Sequence, residues 1–122
     1  LTVTDLTRET LRAASEALYD SARALCHETY GVIPAPAAYE LMADLSASAD
    51  LIRQALERLP LAVARSLEDD RIEIYEDGGV DPIESIGMAG ARLITAATLA
   101  ERLSSELDAA REAICGQGWR AK

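Results

Sequence analysis

The stretch Asp81–Ile114, DPIESIGMAGARLITAATLAERLSSELDAAREAI, decides the fold. Ile86, Leu93, Ala100, Leu107 and Ile114 recur every seven residues, and Gly90, Ala97 and Ser104 fall four residues after the first three of them. Two interleaved sevens place all eight on one stripe of a single long helix, narrow and small enough for a second helix to approach closely. The start carries its own signals: Asp81 as cap, Pro82 at the first helical position and Glu84 as the acid of a capping box. Gly116 stands where a helix end favours a residue free to take positive φ.

The segments before it repeat the pattern. After a lead-in over 1–3, with Thr4 and Asp5 as candidate caps, a helix is expected from about Leu6 to Thr29. Leu11, Leu18 and Leu25 repeat at seven along it, with Ala14 and Ala22 beside them. Gly31 ends this helix, and Pro34 and Pro36 stiffen the connection, with Val32 and Ile33 tucked against the bundle end. A second helix begins near Ala37. Ala38, Leu45, Ile52 and Leu59 form one heptad series, and Met42, Ala49, Leu56 and Val63 form another. The series continues through Pro60, which favours a kink over a break followed by a new helix from Leu61 to about Asp69. The sequence therefore predicts an all-α chain, an elongated antiparallel up-down bundle of three long helices, or four if Pro60 breaks the second. One domain over 1–122 is expected, with an acidic loop over 70–81 and a tail over 116–122.

Composition narrows the function classes. Of 122 residues, 49% are hydrophobic and 27% charged, a globular balance. Phenylalanine is absent and aromatics are 4%, so few rings exist to line a cofactor cavity, and no cofactor is expected. A net charge of −9 without any basic run argues against nucleic acid and against anionic membrane surfaces. No apolar run reaches the length of a membrane span, and a cytoplasmic location is the default.

The carboxylates concentrate between the second and third helices. Glu68, Asp69, Asp70, Glu73, Glu76, Asp77, Asp81 and Glu84 make the span 68–84 the acidic centre of the chain. Laid on a twelve-residue calcium loop, Glu73 takes the first position, Asp77 the fifth, Gly78 the sixth, Asp81 the ninth and Glu84 the twelfth. Tyr75 stands at the third position, where a ligand belongs, and Pro82 lies inside the loop. The readings of this span are a solvated acidic loop, a divalent-metal or small-ligand site, or a docking surface for a basic partner.

Other candidates are sparser. Cys26, His27 and Cys115 would meet near one end of an up-down-up bundle, as a disulfide or a partial metal site. Cys26 is read as a small packed hydrophobe. Trp119, the only tryptophan, is read as capping the bundle end over Tyr30, Val32 or Ile33, with an exposed binding anchor as the alternative. A helical enzyme with an arginine-lined cleft is the third reading; it needs arginines projecting into the bundle, and Arg53, Arg58, Arg92 and Arg102 fall largely away from the apolar seams, which weakens it.

The leading expectation is a non-catalytic acidic helical bundle acting by protein–protein interaction, as adaptor, regulator or assembly component. Its binding residues are Asp69, Asp70, Glu73, Glu76, Asp77, Asp81, Glu84 and Trp119. The partner is another protein with a basic surface, and self-association is expected from Ala-rich faces with apolar area left over. Ile52 and Leu93 are expected to be seam residues whose replacement by aspartate unfolds the bundle.

Overall fold

The computed structural model describes residues 2–75 and 77–122, with the backbone alone at Val3. Three helices account for most of them: α1 (Val3–Glu28), α2 (Ala35–Ser66) and α3 (Pro82–Ile114). No strand occurs among the described residues. The chain groups into two compact units, Leu1–Ile33 and Pro34–Lys122.

The first unit is α1 and its exit. Its cap is Thr2 rather than Thr4. The Thr2 hydroxyl accepts the Asp5 N–H at 3.1 Å, and the Asp5 carboxylate accepts the Thr2 N–H at 3.1 Å. This capping box satisfies two otherwise orphaned donors and starts the helix three residues earlier than expected. The Thr2 contacts hold the Asp5 carboxyl below its ordinary pKa. At the other end α1 stops at Glu28, with Thr29 in a right-handed cap and its hydroxyl donating to the Cys26 carbonyl at 2.9 Å. Gly31 does not take positive φ, so the helix ends without the expected left-handed residue. Val32 is 99% exposed, where the sequence suggested a tucked side chain. Leu11 and Leu18 are exposed as well, because a lone helix has no facing partner within its own unit.

The second unit is an antiparallel hairpin of α2 and α3. α2 begins at Ala35, two residues before the expected start, because prolines lack only N–H groups that the first turn leaves unpaired. It runs on through Pro60 to Ser66, so Pro60 does not break it. Across the seam Pro60 faces Gly90, where a Cβ would sit 3.5 Å from the Pro60 Cβ, an ordinary contact that shows how closely α3 approaches here. α3 starts on the Asp81 cap, whose carboxylate accepts the Ile83 N–H at 3.0 Å. The expected capping box with Glu84 is not formed, and Asp81 supplies the side-chain cap. α3 ends with Cys115 in a right-handed conformation, and Gly116 does not take positive φ.

Three contacts fix one register for the hairpin. Tyr39 meets Arg111, Ser46 meets Ser104 and Pro60 meets Gly90. Each step of seven or fourteen residues forward on α2 is the same step back on α3. The eight residues of the α3 stripe are all buried or half-buried, as the periodicity predicts, and Ala97 is 3% exposed. On α2 only one of the two expected series lies in the seam. Met42, Ala49, Leu56 and Val63 are buried or half-buried. Their companions are Tyr39, Ser46, Arg53, Pro60 and Leu67. The series Ala38, Leu45, Ile52 and Leu59 flanks the seam: Ala38 and Leu45 are half-buried, whereas Ile52 is 37% and Leu59 41% exposed. The helical period predicts an apolar stripe but does not say which half of a wide stripe faces the neighbour.

Candidate functional site

The connection from α2 to α3 folds without strand. Ile72 N–H donates to the Asp69 carbonyl at 3.0 Å and closes a turn behind α2. Asp69 is engaged by the neighbour two residues on. Its carboxylate accepts from the Arg71 side chain at 3.0 and 2.8 Å and from the Arg71 N–H at 2.9 Å. The Arg71 guanidinium, helped by that N–H, pulls the Asp69 carboxyl down to about 2. Farther on, Gly79 takes φ +78°, a conformation that side chains rarely adopt, and turns the chain toward α3. Asp81 is then committed to the helix cap.

The eight expected binding residues thus divide. Asp69 and Asp81 are spent on local structure. Asp70, Glu73, Asp77 and Glu84 are exposed and take no ion pair among the described residues. Glu76 lies outside the described residues. Trp119 is 67% exposed in the tail after α3. The calcium-loop set of Glu73, Asp77, Asp81 and Glu84 is not drawn together: among the described residues no three His, Cys, Asp or Glu side chains are grouped to hold a metal ion. Cys26 and Cys115 are free and exposed, so Cys26 is not the packed hydrophobe expected.

A second polar cluster lies inside the seam. Ser46 is 6% exposed, with its hydroxyl 2.7 Å from Asp108 Oδ1 and 3.0 Å from the Ser104 hydroxyl. A hydroxyl carries one proton, and the carboxylate is the strongest acceptor in reach, so Ser46 donates to Asp108. Ser104 in turn donates to Ser46, through the hydroxyl or through the main-chain carbonyl at 3.2 Å. One turn on, Arg111 lies 4.7 Å over the Tyr39 ring with Nη1 3.6 Å from Asp108 Oδ1. Its Nε is enclosed without a hydrogen-bond partner.

Arg53 is the other correction. Rather than facing away from the seam, it occupies a seam position and is half-buried, with bonds to Asp50 at 2.9 Å and Glu57 at 2.9 Å. Arg53, then Gln54, lowers the Asp50 carboxyl, and the two carboxylates raise the Arg53 pKa. Sequence reasoning passed over Ser46, Arg53 and Arg111 because a stripe search counts apolar residues. Their seven-residue spacing from Tyr39, Pro60, Ala97 and Ser104 was the signal that would have found them.

No protein-family model, curated protein or solved structure matches the chain. Among the described residues no helix is long and apolar enough to cross a membrane.

Proposed function

We propose that this protein is a non-catalytic binding module, an adaptor, regulator or assembly component, whose acidic connection orients a basic surface of a protein partner. The observation that carries the reading is that Asp70, Glu73, Asp77 and Glu84, along the connection and the first turn of α3, are exposed and take no ion pair among the described residues, with the nearby Arg71 already held by Asp69. Four uncompensated carboxylates create a local negative potential that steers and registers a cationic surface. Two further features support a surface-borne role. Ala49 and Ala97 are the buried hydrophobic residues, whereas Leu51, Ile94, Leu99 and Leu103 are at least half exposed. Trp119 stands exposed in the tail, an aromatic of the kind enriched at binding hot spots.

The test is recovery of partners on immobilised protein, compared with the Asp77→Arg/Glu84→Arg variant. A partner held in stoichiometric amount by the parent, released by salt and lost in the variant, is the expected result. Equal retention by both proteins removes the acidic connection from the reading.

A further inference from the structure

The two long sides of the α2–α3 hairpin differ in chemistry. In an antiparallel pair, the flanking positions of the two helices meet on the same side of the seam. On the side of Ser46 and Asp108 the flanks are Ala43, Asp50, Glu57 and Ala64 on α2, with Gly87, Ile94, Glu101 and Asp108 on α3. That side is acidic. The opposite side carries Ala38, Leu45, Ile52 and Leu59 from α2, with Ala89, Ala96, Leu103 and Ala110 from α3. All eight are apolar, and Ile52, Leu59 and Leu103 are 37%, 41% and 54% exposed.

The charges at the two ends of the hairpin are arranged about its middle. The register sets Leu51 level with Leu99, five residues on from Ser46 and five back from Ser104. Seven residues before Leu51 is Asp44 and seven after it is Arg58. Seven before Leu99 is Arg92 and seven after it is Glu106. The antiparallel course therefore puts Asp44 and Glu106 at one end of the hairpin, and Arg58 and Arg92 at the other. All four are exposed, and none takes an ion pair among the described residues.

We propose that this apolar side is the interface between two copies of the chain, hairpin on hairpin with their turns at opposite ends, closing a four-helix bundle. A two-fold axis across the helices at the level of Leu51 and Leu99 carries each acidic end onto the partner copy's arginine end. Arg92, on the same face of α3 as Ala89 and Ala96, then faces the partner copy's Glu106, a pair formed twice, whereas Asp44 and Arg58 lie on the back of α2, midway between its two sides. Pairing with the turns at the same end would oppose acid to acid and arginine to arginine, so the charges select both the occupant and its direction. The area suffices: two helices side by side over about 40 Å present a face about 20 Å wide, about 800 Å² per copy, the size of a standard interface. A hairpin whose own seam fully buries so little also gains its missing core this way.

Sedimentation equilibrium of the whole chain at tens of micromolar is expected to give about 26 kDa, twice the chain mass of 13.1 kDa. A mass of 13.1 kDa at that concentration, or a larger assembly, overturns the proposal. Leu103→Glu should keep its helical circular dichroism and weaken the dimer on the order of a hundredfold, because it places two carboxylates in the interface. A folded Leu103→Glu protein that dimerises like the parent also overturns it.

Arg92→Glu should weaken the dimer about tenfold at low salt, and Arg92→Glu/Glu106→Arg should restore it. That pair of variants decides the matter if Leu103→Glu loses its helices. A single Arg92→Glu change that strengthens the dimer overturns the opposed-turn arrangement. The Asp77→Arg/Glu84→Arg variant should leave the mass unchanged, so the acidic connection and this interface succeed or fail separately.

Discussion

Ser46 and Ser104 bring α2 and α3 together with their hydroxyls 3.0 Å apart and each hydroxyl 3.2 Å from the other residue's main-chain carbonyl. Only small residues allow two helix backbones that close. Ala49 and Ala97 continue the same narrow packing, and both are 3% exposed. The closest approach of the two helices is therefore made by small side chains and a serine layer, with Leu56, Leu93 and Leu107 half-buried along the same seam.

Ser46→Ala removes the donor to Asp108 and one acceptor for Ser104 while keeping the volume small. It should destabilise the hairpin by about 1 kcal/mol. Ser46→Leu forces the backbones apart and should cost about 2–3 kcal/mol. Urea unfolding followed by circular dichroism checks the order. Equal stability of the alanine variant and the parent would show that the serine layer contributes nothing net.

Glycines 87 and 90 make a graded pair. Nothing lies within 4 Å of a Cβ at Gly87, and one at Gly90 makes ordinary contact with Pro60 at 3.5 Å. Each alanine replacement should raise stability by about 0.5–1 kcal/mol, since alanine is the better helix former. Gly90→Leu should reverse the sign by driving a branched side chain into Pro60, whereas Gly87→Leu should not. Thermal melts of the four variants decide it.

Leu93→Asp and Ile52→Asp should part company. Leu93 lies in the seam, and an aspartate there buries an unpaired charge, so the α2–α3 helical signal should be lost at room temperature. Ile52 is 37% exposed beside the seam, and its aspartate variant should keep that signal. Far-UV spectra at one temperature are enough. Loss of helix in both would return Ile52 to the seam, where the sequence first suggested it belongs.

Asp69 provides a pH test. Its carboxyl is pulled from an ordinary 3.8 down to about 2, first by the Arg71 guanidinium and then by the Arg71 N–H. The contact is thus fully present above the ordinary value, and its contribution is lost as pH falls from there through about 2. Carboxyl resonances followed by NMR should show Asp69 titrating at about 2. Arg71→Ala should return it toward 3.8.

The sequence by itself determined that the chain is helical, where α3 begins and ends, and which face of α3 is used. Those properties follow from a 3.6-residue period, a cap and a proline, all local in the chain. It also located the acidic connection. It did not determine which of two apolar stripes on α2 meets α3, because Ala38, Leu45, Ile52 and Leu59 are as apolar as the stripe that is used. Nor did it show that Ser46, Arg53 and Arg111 sit in the seam, since polar side chains enter such positions only when partners wait across or along it. Asp108 waits for Ser46, Asp50 and Glu57 for Arg53, and Tyr39 for Arg111. Those partners come from other turns and from the facing helix, so only the tertiary register, which sets Ser46 against Ser104 and Pro60 against Gly90, could decide them.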